Sequence, residues 1–230
     1  MKKELLCLLA GALLLLAVPA NAAKADICRP DEIGSSCSSN APCPAVIERS
    51  EYKTELFDVE YPRLCGMSDV EAQGKINDVL KMRVEQFIAQ VNQAAEDGRK
   101  YPLASKFTAK MDFQIRRQDA DLLSITLRTY QFTGGAHGSS SLKGYTFKLA
   151  TGQMLNYSEL FNFDFASRQS LNEKIAAQIR ERQIPIFEPF GGVSDNPGFY
   201  LKEGRKAVIV FQQYEIAPYS SGILEFEIDY

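Results

Sequence analysis

The chain has 230 residues, 45% of them apolar, with 26 Lys and Arg against 29 Asp and Glu, one histidine and no tryptophan. That charge balance excludes the basic surface that nucleic acid requires. A single histidine excludes metal centres and proton relays built from several imidazoles.

Residues 1–22 read as a targeting segment: Lys2 and Lys3, then an apolar stretch from Leu5 to Val18, then Ala20-Asn21-Ala22, the small-x-small form that signal peptidase cleaves after. The stretch is shorter than the roughly 20 residues a bilayer-spanning helix needs. The expected mature chain therefore begins at Ala23 and has no membrane span. It is exported to a periplasm or to the medium. Without Lys2, Lys3 and Glu4 it keeps 24 basic and 28 acidic residues, a net charge of −4 that suits a cationic partner.

Four cysteines remain, Cys28, Cys37, Cys43 and Cys65, and an even count in an exported chain points to two disulfides with three possible pairings. Their spacing lacks the close pairs of a zinc site, so no metal is expected. Residues 23–45, rich in Cys, Ser and Pro, hold too little apolar surface to order themselves. They are expected to form a disulfide-stapled N-terminal arm.

Glu51 to Tyr61 reads as one or two short strands ending at Pro62. Ser68 and Glu71 have the spacing of a capping box. The helix that follows, of six to seven turns, carries Ile76, Val79, Leu80, Val84, Phe87, Ile88 and Val91 on one face and ends near Asp97-Gly98. Three strands then form a meander: Lys106 to Arg117, Leu122 to Phe132 and Gly144 to Leu149, with Gly134 to Ser141 joining the last two. A second helix spans about Phe165 to Gln183 and stops before Pro185. Glu188 to Pro197 is a loop. Phe199 to Leu201, Ala207 to Phe211 and Leu224 to Ile228 close the chain as strands. The fold class is α+β, a mostly antiparallel sheet flanked by two longer helices. Residues 46–100 form a strand-helix unit and residues 101–230 a second α+β unit, packed together as one globular body.

His137 sits in Tyr130-Gln131-Phe132-Thr133-Gly134-Gly135-Ala136-His137-Gly138, and its expected role is to fix a turn through a backbone carbonyl. Ser139, Ser140 and Ser141 follow it, but no Gly-x-Ser-x-Gly elbow is present. Neither a phosphate loop nor a cofactor motif occurs, so no cofactor is expected. Among the acids, Glu215 in Tyr214-Glu215-Ile216-Ala217-Pro218-Tyr219 is the most suggestive, yet no partner carboxylate is visible. Loop tyrosines suit recognition better than catalysis. The candidate binding residues are Gly134, Gly135, His137, Tyr214, Glu215, Pro218 and Tyr219. The alternative is a cell-wall hydrolase or esterase working through carboxylates near Glu215.

Four motifs in order, Tyr-x-Phe-Thr-Gly-Gly-Ala-His-Gly, Phe-x-Leu-x-Thr-Gly, Leu160-Phe161 and Tyr-Glu-Ile-Ala-Pro-Tyr-x-x-Gly, carry a resemblance. Together they resemble the extracytoplasmic domain of RsiV-type anti-sigma factors and the non-catalytic N-terminal region of PdaC-type peptidoglycan deacetylases. The resemblance covers roughly Val46 to Tyr230. It implies a protein-recognition module, because the RsiV-type domain binds lysozyme. The implied partner is a lysozyme-like muramidase or peptidoglycan. Nothing here matches the deacetylase catalytic domain or a sigma-binding segment, so neither activity carries over.

Overall fold

The computed structural model describes residues 45–98, 107–161 and 164–230. Residues 1–44, which hold the expected signal segment, all of the expected arm but Ala45, and Cys28, Cys37 and Cys43, lie outside the described residues. Strands β1 (Val46–Lys53) and β2 (Phe57–Cys65) form an antiparallel hairpin, and helix α1 (Val70–Gly98) follows. Strands β3 (Thr108–Gln118), β4 (Leu122–Phe132), β5 (Ser139–Lys148) and β6 (Gln153–Leu155) complete a six-stranded sheet in sequential order. Only β2 and β3 run parallel, as a strand–helix–strand crossover requires, and they pair over just Phe57–Val59 and Ala109–Met111.

Helix α1 buries Ala72, Ile76, Leu80, Val84, Phe87, Val91 and Ala95 at three- and four-residue steps. This stripe meets one face of the sheet, where Val59, Leu64, Leu123, Ile125 and Phe147 form the first core. Each side chain fully removed from water there contributes about 1.5–3 kcal/mol. Asn77 ties the helix to the sheet. Its amide donates to the Leu64 carbonyl (2.9 Å), and its oxygen accepts the Leu64 N–H (2.8 Å). Leu64 lies beyond the short reach of β3, so the side chain stands in for the absent strand.

A short helix α2 (Tyr157–Leu160) and helix α3 (Phe165–Glu181) lead to a second, antiparallel sheet of β7 (Phe199–Lys202), β8 (Lys206–Phe211) and β9 (Leu224–Asp229). On one face of this sheet Leu171, Ile175 and Ile179 of α3 pack with Leu201, Ile209 and Phe226. On the other face Tyr200, Val208 and Val210 meet Leu142 of β5. Burial on both faces is why β8 reads as a continuous apolar run without alternation. The two sheets approach so closely that a Cβ on Gly144 would sit 1.9 Å from the Phe199 carbonyl oxygen. Beside it the buried Ser124 hydroxyl accepts the Leu201 N–H (2.9 Å) and shares a hydrogen bond with Thr146 (2.9 Å).

Most expected elements are present, with definite corrections. Strand β2 runs through Pro62, because β3 pairs with β2 only up to Val59 and leaves one side of the strand free of a ladder. The cap of α1 is Asp69, whose carboxylate accepts the Ala72 N–H (2.9 Å), and not Ser68. Glu71 instead pairs with Lys75 one turn on (2.7 Å). The helix has 29 residues, about eight turns. Strand β5 begins at Ser139, not Gly144, so the β4–β5 connection is only Thr133 to Gly138. Strand β6 is an element the pattern did not mark. Ile115, which alternation puts on the same side of β3 as the buried Ala109 and Met111, is 46% exposed, where the pairing with β4 shifts between Ile115 and Arg117.

Candidate functional site

The β4–β5 connection is a turn shaped by Gly134 (φ 91°) and Gly135 (φ 101°), both in the region that side chains disfavour. It delivers His137 to the surface. The β8–β9 connection, Gln212 to Ile223, rises beside it and lays Tyr219 flat on the imidazole, with ring centroids 3.9 Å apart and planes inclined by 25°. Tyr219 Oη donates to the Gly138 carbonyl (2.9 Å), and His137 Nδ1 lies 3.0 Å from the same oxygen. Tyr214 completes the cluster, its hydroxyl 3.4 Å from His137 Nε2 and its ring 5.7 Å from that of Tyr219. His137 thus forms one aromatic group with Tyr214 and Tyr219, which lie 77 and 82 positions further along the chain.

Glu215 serves its own loop. Its Oε2 accepts the Gln212 N–H (2.7 Å), and its N–H donates to the Gln212 carbonyl (3.1 Å). These bonds close a tight turn with Tyr214 in the left-handed region at φ 65°, where glycine or asparagine is usual. The turn projects a tyrosine that is 55% exposed. Pro218 ends the turn's approach, and its carbonyl accepts the Ser221 N–H (2.9 Å) to start a single 3-10 turn, Tyr219–Ser221.

Two residues that the sequence did not single out hold the loops together. Gln212 reads the Leu142 peptide twice, accepting its N–H (3.0 Å) and donating to its carbonyl (2.8 Å). Gln213 accepts the Ser140 N–H (2.7 Å). They pair with the part of β5 that β6 does not reach, a role that only the strand register reveals. The α3–β7 loop adjoins the same surface, since the Phe187 N–H donates to the Ile216 carbonyl (3.0 Å) and its ring is 55% exposed. Among the described residues, no His, Cys, Asp and Glu side chains cluster as a metal site would need. No helix there is long and apolar enough to cross a membrane.

Residues 48–140 match the family model described as deacetylase PdaC, and residues 158–230 match that of a protein of unknown function, DUF3298. The chain thus resembles a PdaC-type region followed by a DUF3298-type region. His137 lies within the first matched span and Tyr214, Glu215, Pro218 and Tyr219 within the second, so the aromatic group draws on both. The anti-sigma-V factor RsiV of Bacillus subtilis is 28% identical over 193 residues, 79% of this chain. The match spans 66% of RsiV, just under two thirds of its length. Two solved DUF3298 proteins share the fold. One, from Bacteroides fragilis, has a TM-score of 0.59 at 15% identity, covering 81% of this chain and 90% of its own. The other, from Pseudomonas aeruginosa, has a TM-score of 0.54 at 18% identity, covering 83% and 92%. The RsiV-like resemblance carried by the four motifs is thus supported across both regions.

Proposed function

We propose that this chain is an exported binding protein that recognises a lysozyme-type muramidase through the surface built on His137, Tyr214 and Tyr219. Gly134, Gly135, Glu215 and Pro218 shape that surface. The observation that carries this reading is Tyr214, an exposed aromatic held in a left-handed conformation by hydrogen bonds of its own turn. Strain of this kind persists where surrounding structure enforces it, and it concentrates at binding and catalytic positions. The likeness to RsiV supports an extracytoplasmic sensing or binding role. A cationic muramidase complements the acidic chain, and the tyrosines offer large contact area at small entropic cost.

The Glu215 carboxylate is engaged by a backbone N–H of its own turn, and no observation favours the hydrolase reading. The disulfide staple belongs to this proposal as well. Cys65 is buried at the end of β2 and is not a free thiol, while its partner lies outside the described residues.

Calorimetric titration of the exported protein against hen lysozyme tests the reading. Saturable binding at micromolar concentration is expected, with inhibition of the muramidase. Absence of both heat and inhibition would overturn the choice of partner.

A further inference from the structure

The β4–β5 hairpin end has a second face, turned toward α1. Alternation along β5 puts Ser141 and Lys143 on the same face as Tyr145 and Phe147, which pack in the core beneath α1. Between that face and the helix lies a cavity of about 260 Å³, lined by Arg83, Gln86, Phe87 and Gln90 of α1 and by Ser141 and Lys143 of β5, among others. No carboxylate lines it, whereas two cations do. The spacing of Arg83, Gln86, Phe87 and Gln90 places them on one side of the helix at three- and four-residue steps.

Arg83 is incompletely satisfied. Its Nη1 donates to Gln86 Oε1 (3.0 Å), and its guanidinium lies 5.7 Å from the centre of the Tyr145 ring. Its Nε is buried with no hydrogen-bond partner. Folded proteins rarely leave a buried donor unpaired, least of all on a charged group. A carboxylate is the natural acceptor for a guanidinium edge.

We propose that this cavity binds one acidic sugar residue. Arg83 and Lys143 take its carboxylate, Gln86, Gln90 and Ser141 hydrogen-bond its hydroxyls, and Phe87 provides an apolar floor for the ring. The volume is below the roughly 300–1,000 Å³ of clefts for drug-sized ligands, which limits the occupant to about one ring. A bare inorganic anion would use the cations but leave the amides and the hydroxyl without partners. The site stands apart from the recognition surface proposed above, because it uses the opposite face of the hairpin and different residues.

Glucuronate, glucose and sulfate are the probes, each titrated into the exported protein and followed by amide chemical shifts. Glucuronate should bind saturably at millimolar concentration, with shifts at Ser141 and Lys143, and glucose at least about tenfold more weakly. Lys143→Gln should weaken glucuronate at least about fivefold without moving the thermal midpoint, since Lys143 is exposed and outside the core. Arg83→Lys should weaken it too, because an ammonium cannot reproduce the guanidinium edge. Absence of saturation with glucuronate, or binding that Lys143→Gln leaves unchanged, overturns the site. Sulfate binding as tight as glucuronate overturns the sugar and leaves only an anion crevice.

Discussion

At the scale of single residues, the strongest constraint is on Tyr214. A left-handed φ of 65° costs a tyrosine conformational energy that asparagine or glycine avoids. Tyr214→Asn should therefore leave stability unchanged or raise it by up to about 1 kcal/mol. Binding of the proposed muramidase should weaken at least about tenfold, read by calorimetry. Unchanged affinity would remove Tyr214 from the recognition surface. Tyr219→Phe keeps the stacking on His137 and removes only the bond to the Gly138 carbonyl, so it should cost about 1 kcal/mol in chemical denaturation. Asp119 supplies a pH dependence. Burial opposes its ionisation, but the N–H groups of Leu122 and Asp121 and the Arg117 guanidinium outweigh that and hold its carboxyl below the ordinary carboxylate range. Its stabilising contribution is complete well above about pH 4, the unfolded value, and is lost as pH falls through the lower folded value. Asp119→Asn should flatten that part of the acid unfolding curve, measured as denaturation midpoint against pH.

At the scale of elements, two side-chain amides do the work of missing strands. Asn77 satisfies both polar groups of Leu64 where β3 stops short, and Gln212 does the same for Leu142 where β6 does not reach. Gln212→Ala should leave two partly buried backbone groups unpaired, at a cost of about 1–3 kcal/mol. It should also free the β8–β9 connection, which hydrogen exchange at Leu142 and Ser140 would report as faster. Exchange as slow as in the parent protein would show that other contacts hold the loop. Helix α1 was legible because its apolar stripe is long and regular. Its cap, expected at Ser68, is Asp69, because both residues have the right chemistry and only the chain's entry path chooses between them. The early start of β5 was hidden for a related reason. Three serines carry no apolar alternation, and their strand conformation is imposed by pairing with Thr129, Tyr130 and Gln131.

At the scale of the whole molecule, the two sheets are held in register where β7 crosses β5. Backbone meets backbone there, so Gly144 tolerates no side chain. Gly144→Ala should destabilise the protein by about 3 kcal/mol, near the upper end of overpacking costs, with displacement of β7. Since β8 leads directly into the Gln212–Ile223 connection, the same change should weaken the aromatic cluster. Loss of stability without any change in Tyr214 or Tyr219 environment, read by near-ultraviolet circular dichroism, would show that the connection is positioned independently of the crossing.

The α+β class, both long helices and the final three strands were determined by the sequence itself, since each rests on local periodicity or on a turn residue. The four ordered motifs likewise sufficed for the RsiV-like resemblance. Only the tertiary structure decided which loops meet. His137 and Tyr219 are 82 positions apart, and their stacking depends on two sheets packing face to face, a long-range arrangement that no local pattern encodes. Glu215 shows the same division. Its residue type and its loop were legible, but its role as the brace of the Tyr214 turn depends on a hydrogen bond whose geometry exists only in the folded chain.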